Sequence, residues 1–370
     1  MQKINIVCPT YREGAGAKMR LIATYHLIQD VIGKENLRLC IIDSSKHPIP
    51  LFKNGKMVYQ NVLYIHVPTK EKAFQNYANK LPHMLDFCVT KEHKDFEKIK
   101  ELVADWSHFI PWDDWYPRKA TLLDHFLDER PSIGMKRNMA LAALEEVFGA
   151  GDVVCYADDD DFRSAGYFEQ MANELKDKSF VRIAKWLTCC FNDEGKEPLL
   201  GVNDMGFYQK ANGFWVPDLK KAQELYNSRQ IEGITNLIKD RYSKLITMAL
   251  PPISYDGAIH VFQMDLWRQA KEAFFGVLPV SLAEDIIFYM SLERYLGHEF
   301  KPCIFENKEF NFIRTAHVNT SLVEWTERIE FNCIPVWAQK TVSFVQKLLH
   351  SELDFELYEK KMAQLIGAND

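Results

Sequence analysis

One ten-residue stretch constrains the fold more than any other: Val153-Val154-Cys155-Tyr156-Ala157-Asp158-Asp159-Asp160-Asp161-Phe162. It is an apolar run that stops in four consecutive carboxylates. A run this short, rich in β-branched and aromatic residues, fits a strand covered on both faces, as in a parallel α/β sheet. Four adjacent carboxylates at its carboxyl end repel one another, and a hard divalent cation with oxygen ligands neutralises them most simply. An acidic run can also be a solvated loop or a helix start, so the segments around it decide.

Residues 131–146 read as a helix, with Ser132 near the N-terminus and Gly149 just past the end. Upstream, residues 4–11 form a strand stopped by Pro9, residues 18–32 a helix whose Leu21, Tyr25, Ile28 and Ile32 share one face, residues 37–45 a second strand and residues 62–67 a third. Strand, helix and strand repeat, which predicts a mainly parallel sheet. Ligands bind such sheets beyond the carboxyl ends of the strands, where Pro9-Thr10-Tyr11, Asp43 and Asp158 to Asp161 all fall.

The helix bearing Arg137-Asn138, with the acidic strand end about twenty residues further on, resembles glycosyltransferases of the GT-A fold in family 2. The resemblance implies a Rossmann-like α/β fold: a mainly parallel twisted sheet flanked by helices, with a helical insertion and a helical C-terminal region. By position, Pro9, Thr10, Tyr11 and Asp43 would hold the donor nucleoside, and Lys136, Arg137, Asn138, Asp158 and Asp159 the rest of the donor. Asp160, with Asp158 and Asp161, would hold Mn²⁺ or Mg²⁺, and His317 in the 312–320 segment would complete the coordination, imidazole suiting Mn²⁺ better than Mg²⁺. In Leu282-Ala283-Glu284-Asp285-Ile286 two acids open an apolar helix; they suit the helix dipole in any case, and the family parallel makes Asp285 the general base and Glu284 its acceptor-contacting neighbour.

The resemblance further implies a metal-dependent inverting glycosyltransferase that moves sugar from a nucleotide-diphosphate donor, a UDP-sugar, to a hydroxyl of a glycan or lipid-linked glycan. Two other readings stand beside it. The glycines of Gly14-Ala15-Gly16-Ala17-Lys18-Met19-Arg20 open a helix as the phosphate loop of a sugar-phosphate nucleotidyltransferase does, although Pro-Thr-Tyr-Arg-Glu intervenes after the strand. A non-catalytic nucleotide-sugar-binding protein on the same scaffold is the other.

The expected organisation is a catalytic unit over residues 1–320, interrupted by a helical insertion at 69–130, with an acceptor-side variable region at 192–250 and a helical extension over 321–370. The insertion is charged over 91–100, then carries Trp106, Phe109, Trp112, Trp115 and Tyr116, which serve either as a small core or as a sugar or partner surface. Residues 180–191 read as one strand and 255–262 as another. Residues 335–366 are amphipathic, expected to pack on the sheet or a second subunit, with peripheral membrane contact as the alternative.

With 370 residues, 47% of them hydrophobic, the chain has ample core. A net charge of -6 argues against nucleic acid bound through a broad basic face. The 8 cysteines are scattered and include no Cys-x-x-Cys pair, so buried thiols in a reducing compartment are expected rather than zinc. No signal peptide precedes the first strand and no apolar stretch approaches membrane-span length, which favours a cytoplasmic protein.

Overall fold

The computed structural model describes residues 2–14, 16–49, 56–77, 80–81, 129–183, 185–191, 198–204, 260–273, 284, 288–289, 292, 296–305, 307–316, 327–350 and 355–365. In chain order the main elements are β1 (Ile4–Thr10), α1 (Ala17–Val31), β2 (Leu37–Asp43), β3 (Lys56–Tyr59), β4 (Val62–His66), α2 (Lys70–Tyr77), α3 (Ile133–Phe148), β5 (Val153–Tyr156), β6 (Phe162–Arg163), α4 (Tyr167–Leu175), β7 (Phe180–Ile183), β8 (Lys185–Cys190), β9 (Leu199–Asp204), β10 (Val261–Gln263), α5 (Met264–Ala273), β11 (Pro302–Phe305), β12 (Phe312–Ala316), β13 (Glu327–Arg328), α6 (Val336–His350) and α7 (Phe355–Leu365).

The large sheet has eight strands in the order β11-β7-β10-β5-β1-β2-β4-β3. Pairs β1–β2, β1–β5, β2–β4 and β7–β11 are parallel, while β10 runs against both its neighbours and β3 against β4. This is the mainly parallel, helix-flanked α/β sheet that the GT-A resemblance implies. The first strands step outward from β1 to β2 to β4, and the chain then returns to place β5 on the other side of β1. That reversal opens a crevice between the carboxyl ends of β1 and β5, the position where open α/β sheets bind ligands.

Alternation explains why these strands read as continuous apolar runs. Ile4, Ile6 and Cys8 of β1, with Val153 and Cys155 of β5, join one core with α1, α4, α6 and α7; Val7, Val154 and Tyr156 point the other way, into a second core with α3 and α5. Helix α3 begins as expected, with the Ser132 hydroxyl accepting from the Met135 amide at 3.2 Å. It ends at Gly149, whose φ of 74° is where a residue without Cβ is needed.

Three expectations need correction. Residues 180–191 are not one strand: β7 belongs to the large sheet, whereas β8 belongs to a separate five-stranded sheet ordered β13-β9-β8-β12-β6. Within the 192–250 variable region, for which no strand is expected, Leu199–Asp204 forms β9 of that second sheet. The edge strand β3 was not expected at all, and its burial alternates with exposure as a one-sided edge strand's does. The C-terminal helices join the core on one face of the large sheet, as expected, through Ala338, Val342 and Val345 of α6 and through Tyr358 of α7, and both touch α1, the Tyr358 ring meeting Tyr25 edge-on at 5.6 Å. The two ends of the 69–130 segment lie side by side, the Lys70 amide donating to the Glu129 carbonyl at 2.7 Å, and Trp106, Phe109, Trp112, Trp115 and Tyr116 fall outside the described residues.

Candidate active site

The crevice is lined by three pieces of backbone: the turn after β1, the turn after β2 and the acidic turn after β5. Helix α3 crosses beneath them. Its Lys136 is buried and donates from Nζ to the Thr10 carbonyl at 3.2 Å and the Ser44 hydroxyl at 3.1 Å, tying the first two turns together. Burial pushes its ammonium pKa down to about 8, against the pull of Asp159 and Asp43.

The four carboxylates do not act as a block. Asp159 turns in toward β1, accepting from the Thr10 hydroxyl and, at 3.2 Å, from the Tyr11 amide, with Arg20 at 3.8 Å. Burial raises its pKa to about 6; Arg20 and Lys136 pull it down and Asp160 pushes it up. Asp161 is also buried and turns toward the second sheet, where its carboxylate accepts from the Thr315 amide at 3.0 Å. The Thr315 hydroxyl donates to the Asp160 carbonyl, so β12 grips the acidic turn from outside. Asp158 and Asp160 remain partly exposed, and these are the two carboxylates turned toward solvent.

Arg137 joins the acidic turn to the only acid of the Glu284-Asp285 pair that lies among the described residues. Its Nη1 donates to Glu284 at 2.6 Å and its Nη2 to Asp158 at 3.1 Å, while its guanidinium lies 4.1 Å from the Tyr156 ring centroid. The resemblance alone made Glu284 an acceptor-contacting neighbour of Asp285; the structure holds it against Arg137, which also holds Asp158. Asp285 and His317 fall outside the described residues.

Two expected donor residues are turned elsewhere. Asn138 is fully buried, and its side-chain oxygen accepts from the Trp267 indole at 2.9 Å, fastening α3 to α5. Asp43 is fully buried as well and saturated by the protein's own donors: Arg12 Nε at 3.1 Å and Nη2 at 2.9 Å, the Ser45 amide at 2.9 Å, the Ser45 hydroxyl and the Tyr64 phenol at 2.6 Å.

Sequence reasoning missed Arg12, Arg20, Arg130 and Tyr64. Arg12 could have been found, because it directly follows Pro9-Thr10-Tyr11; Tyr64 could not, because its partner lies on another strand. Arg130 stacks 4.1 Å from the Tyr11 ring centroid, and Arg20 donates to the Tyr11 carbonyl at 2.6 Å. Cations thus crowd the turn after β1, one step from two partly exposed carboxylates. Among the described residues no three His, Cys, Asp or Glu side chains gather as a complete metal centre. Asp158 and Asp160 still suit an ion such as Mg²⁺, which is commonly held by one or two carboxylates plus substrate phosphates and water.

No protein-family model matches the chain, and no curated protein does. Among solved structures it is similar to S. aureus TarS 1-349 in complex with UDP-GlcNAc, with 12% identity, a TM-score of 0.39, and coverage of 99% of this chain and 72% of that one. Against another S. aureus TarS structure it covers 85% of its own length and spans 37% of that chain, with 12% identity and a TM-score of 0.36. It is also similar to glucosyl-3-phosphoglycerate synthase from Mycobacterium tuberculosis in complex with UDP, with 12% identity, a TM-score of 0.32, and coverage of 100% of this chain and 82% of that one. No helix among the described residues is long and apolar enough to cross a membrane.

Proposed function

We propose that this chain is a GT-A-type glycosyltransferase resembling family 2, which transfers a sugar from a UDP-sugar to a hydroxyl of a glycan or lipid-linked glycan with inversion. The observation that carries the reading is the bridge Glu284–Arg137–Asp158 at the switch point of the sheet, because it joins the expected acceptor side to the expected donor side through one buried guanidinium. A fold of this class hosts many activities, so the reading rests on this site.

In this reading the Tyr11 ring with Arg130 forms the nucleoside end of the crevice, and Arg20 and Lys136 supply positive charge beside the diphosphate. Asp160 and Asp158 would hold a divalent cation, with His317 as a further ligand. Such a cation, when bound, supplies charge neutralisation for the leaving diphosphate. Asp285 takes the acceptor proton as the acceptor oxygen attacks the anomeric carbon from the face opposite the leaving group. Glu284, held by Arg137, orients the acceptor.

A melting-temperature panel tests the reading. UDP-sugars should raise the melting temperature with Mn²⁺ and do so far less with a chelator, since a ligand bound only by the folded state stabilises it. Asp285→Asn should leave that shift intact and slow transfer roughly 10²–10⁴-fold, the usual contribution of a positioned general base. Pyrophosphate release from nucleoside triphosphate plus sugar phosphate would establish the nucleotidyltransferase instead, and a shift without transfer to any acceptor the binding protein.

A further inference from the structure

Behind the acidic turn, away from the crevice, lies a cavity of about 220 Å³ walled by α1, the β6 segment and the first turns of α6. Part of its polar lining is unsatisfied. His26 contributes a buried Nε2 and Arg163 a buried Nε and Nη2 with no hydrogen-bond partner. Arg163 is held from its other side, donating from Nη1 to the Asp161 carbonyl at 3.3 Å and lying 5.3 Å from the Phe312 ring centroid. Asp30 stands on the same wall as His26, one helical turn along. The charges of Lys34 and Arg163 act on it, and Lys34 also pairs with Glu169 at 3.5 Å. Burial raises the Asp30 pKa to about 6 and lowers that of His26, so both groups lean toward their neutral forms.

Buried polar groups in native proteins are nearly always hydrogen-bonded, to protein, water or ligand. Here a guanidinium and an imidazole on two different elements face one space with buried nitrogens unpartnered, and the partly exposed Asp30 carboxyl borders the same space. A small anion would meet the Asp30 and Asp161 carboxylates, and a cation would meet Arg163. A hydroxyl both donates and accepts, so neighbouring hydroxyls of one neutral molecule can satisfy all three. Trp337 adds an aromatic wall of the kind that covers C–H faces while its own N–H stays available. The volume lies below the roughly 300–1,000 Å³ of sites for drug-sized ligands, which limits the occupant to about one sugar ring.

We propose that this cavity, between α1, β6 and α6, binds a neutral polyhydroxylated ligand of monosaccharide size. The site is independent of the nucleotide reading and would stand if that reading failed. Through Arg163 and Asp161, which lies on both the cavity wall and the acidic turn, occupancy bears on the turn that carries Asp158 and Asp160.

The test is saturation-transfer NMR on the full chain without nucleotide, titrating glucose, galactose, N-acetylglucosamine and glycerol, with citrate as the anionic control. Arg163 is too deeply stacked to remove safely, so the variants are Asp30→Leu, which replaces a partly buried carboxyl by an apolar side chain of similar size, and Ala23→Leu, which fills the cavity. At least one sugar should bind saturably, and Asp30→Leu should weaken it about 10-fold, the loss expected when one hydrogen bond to the ligand is removed. The melting temperature of Asp30→Leu should equal or exceed that of the wild type. Absence of saturable sugar binding, sugar binding untouched by both variants, or citrate binding in preference to the sugars would each overturn the proposal.

Discussion

The turns after β2 and β5 end neighbouring parts of one sheet edge, and both carry carboxylates, yet they have opposite fates. At the end of β2, Asp43 is fully enclosed and every direction is taken by a donor from the chain itself, Arg12, Ser45 and Tyr64. At the end of β5, Asp159 and Asp161 are enclosed in the same way, one by the β1 turn and one by β12, but Asp158 and Asp160 keep partial access to solvent. Position at a strand's carboxyl end makes a residue available to a ligand only if the protein leaves it partners to find. By that criterion we propose that Asp43 shapes the turn and that Asp158 and Asp160 are the acids that would face a ligand.

The largest expected effect breaks the closed end. Asp43→Ala removes the carboxylate that Arg12 and Tyr64 share inside the fold, so that a buried cation loses its counter-charge, and should cost about 3–5 kcal/mol of stability in chemical denaturation. Asp43→Asn should recover only part of this, since an amide oxygen can accept but no longer offsets the Arg12 charge. A variant of normal stability that had lost UDP affinity would return Asp43 to the nucleoside-binding role and dissolve the contrast between the two turns.

The next effect is a pH dependence at the open end. Asp159 has its pKa raised from 3.8 to about 6 by burial, so the folded state holds its proton more tightly than the unfolded chain does. That contribution is complete below about pH 3.8 and is lost as pH rises through about 6, with a ceiling on the order of 3 kcal/mol. Asp159→Asn cannot titrate. Its melting temperature relative to wild type should therefore improve between about pH 5 and pH 7.5. A constant difference would mean that Arg20, Lys136 and Thr10 already hold the carboxylate ionised across that range.

This distinction between open and closed acids could not be read from the sequence, and the reason is physical. β5 is buried on both faces, so Val153, Val154, Cys155 and Tyr156 give no apolar–polar alternation to carry into the four acids beyond them. Strands β1, β2, β4 and β5 of the large sheet and helix α3 were legible because their signals are local: apolar runs, the Ser132 cap and the terminating Gly149. The second sheet was not, because β7 and β8 adjoin one another without the Gly or Pro that usually marks a break. The bonds from Arg12 and Tyr64 to Asp43 join residues 31 and 21 positions apart, beyond any periodicity argument.

The smallest effect on stability, and the sharpest on ligand binding, is expected at Asp160. Its side chain is partly exposed, and the contact that anchors this residue, Thr315 to its carbonyl, belongs to the backbone and survives substitution. Asp160→Ala should therefore change folding stability by no more than about 0.5 kcal/mol, as surface substitutions usually do. If Asp160 is the first cation ligand, however, one of the two available carboxylates is gone, and the extra stabilisation that Mn²⁺ gives to UDP binding should disappear while the weak metal-free binding stays. Asp158→Ala is the useful companion, because it also releases Arg137 from one of its two acids and should disturb folding as well as metal response. A loss of Mn²⁺ response with Asp160→Ala at unchanged stability would separate the two turns into a closed structural acid and an open ligand-binding one. A full Mn²⁺ response in that variant would instead take Asp160 out of the cation site and leave Asp158 as the carboxylate to pursue.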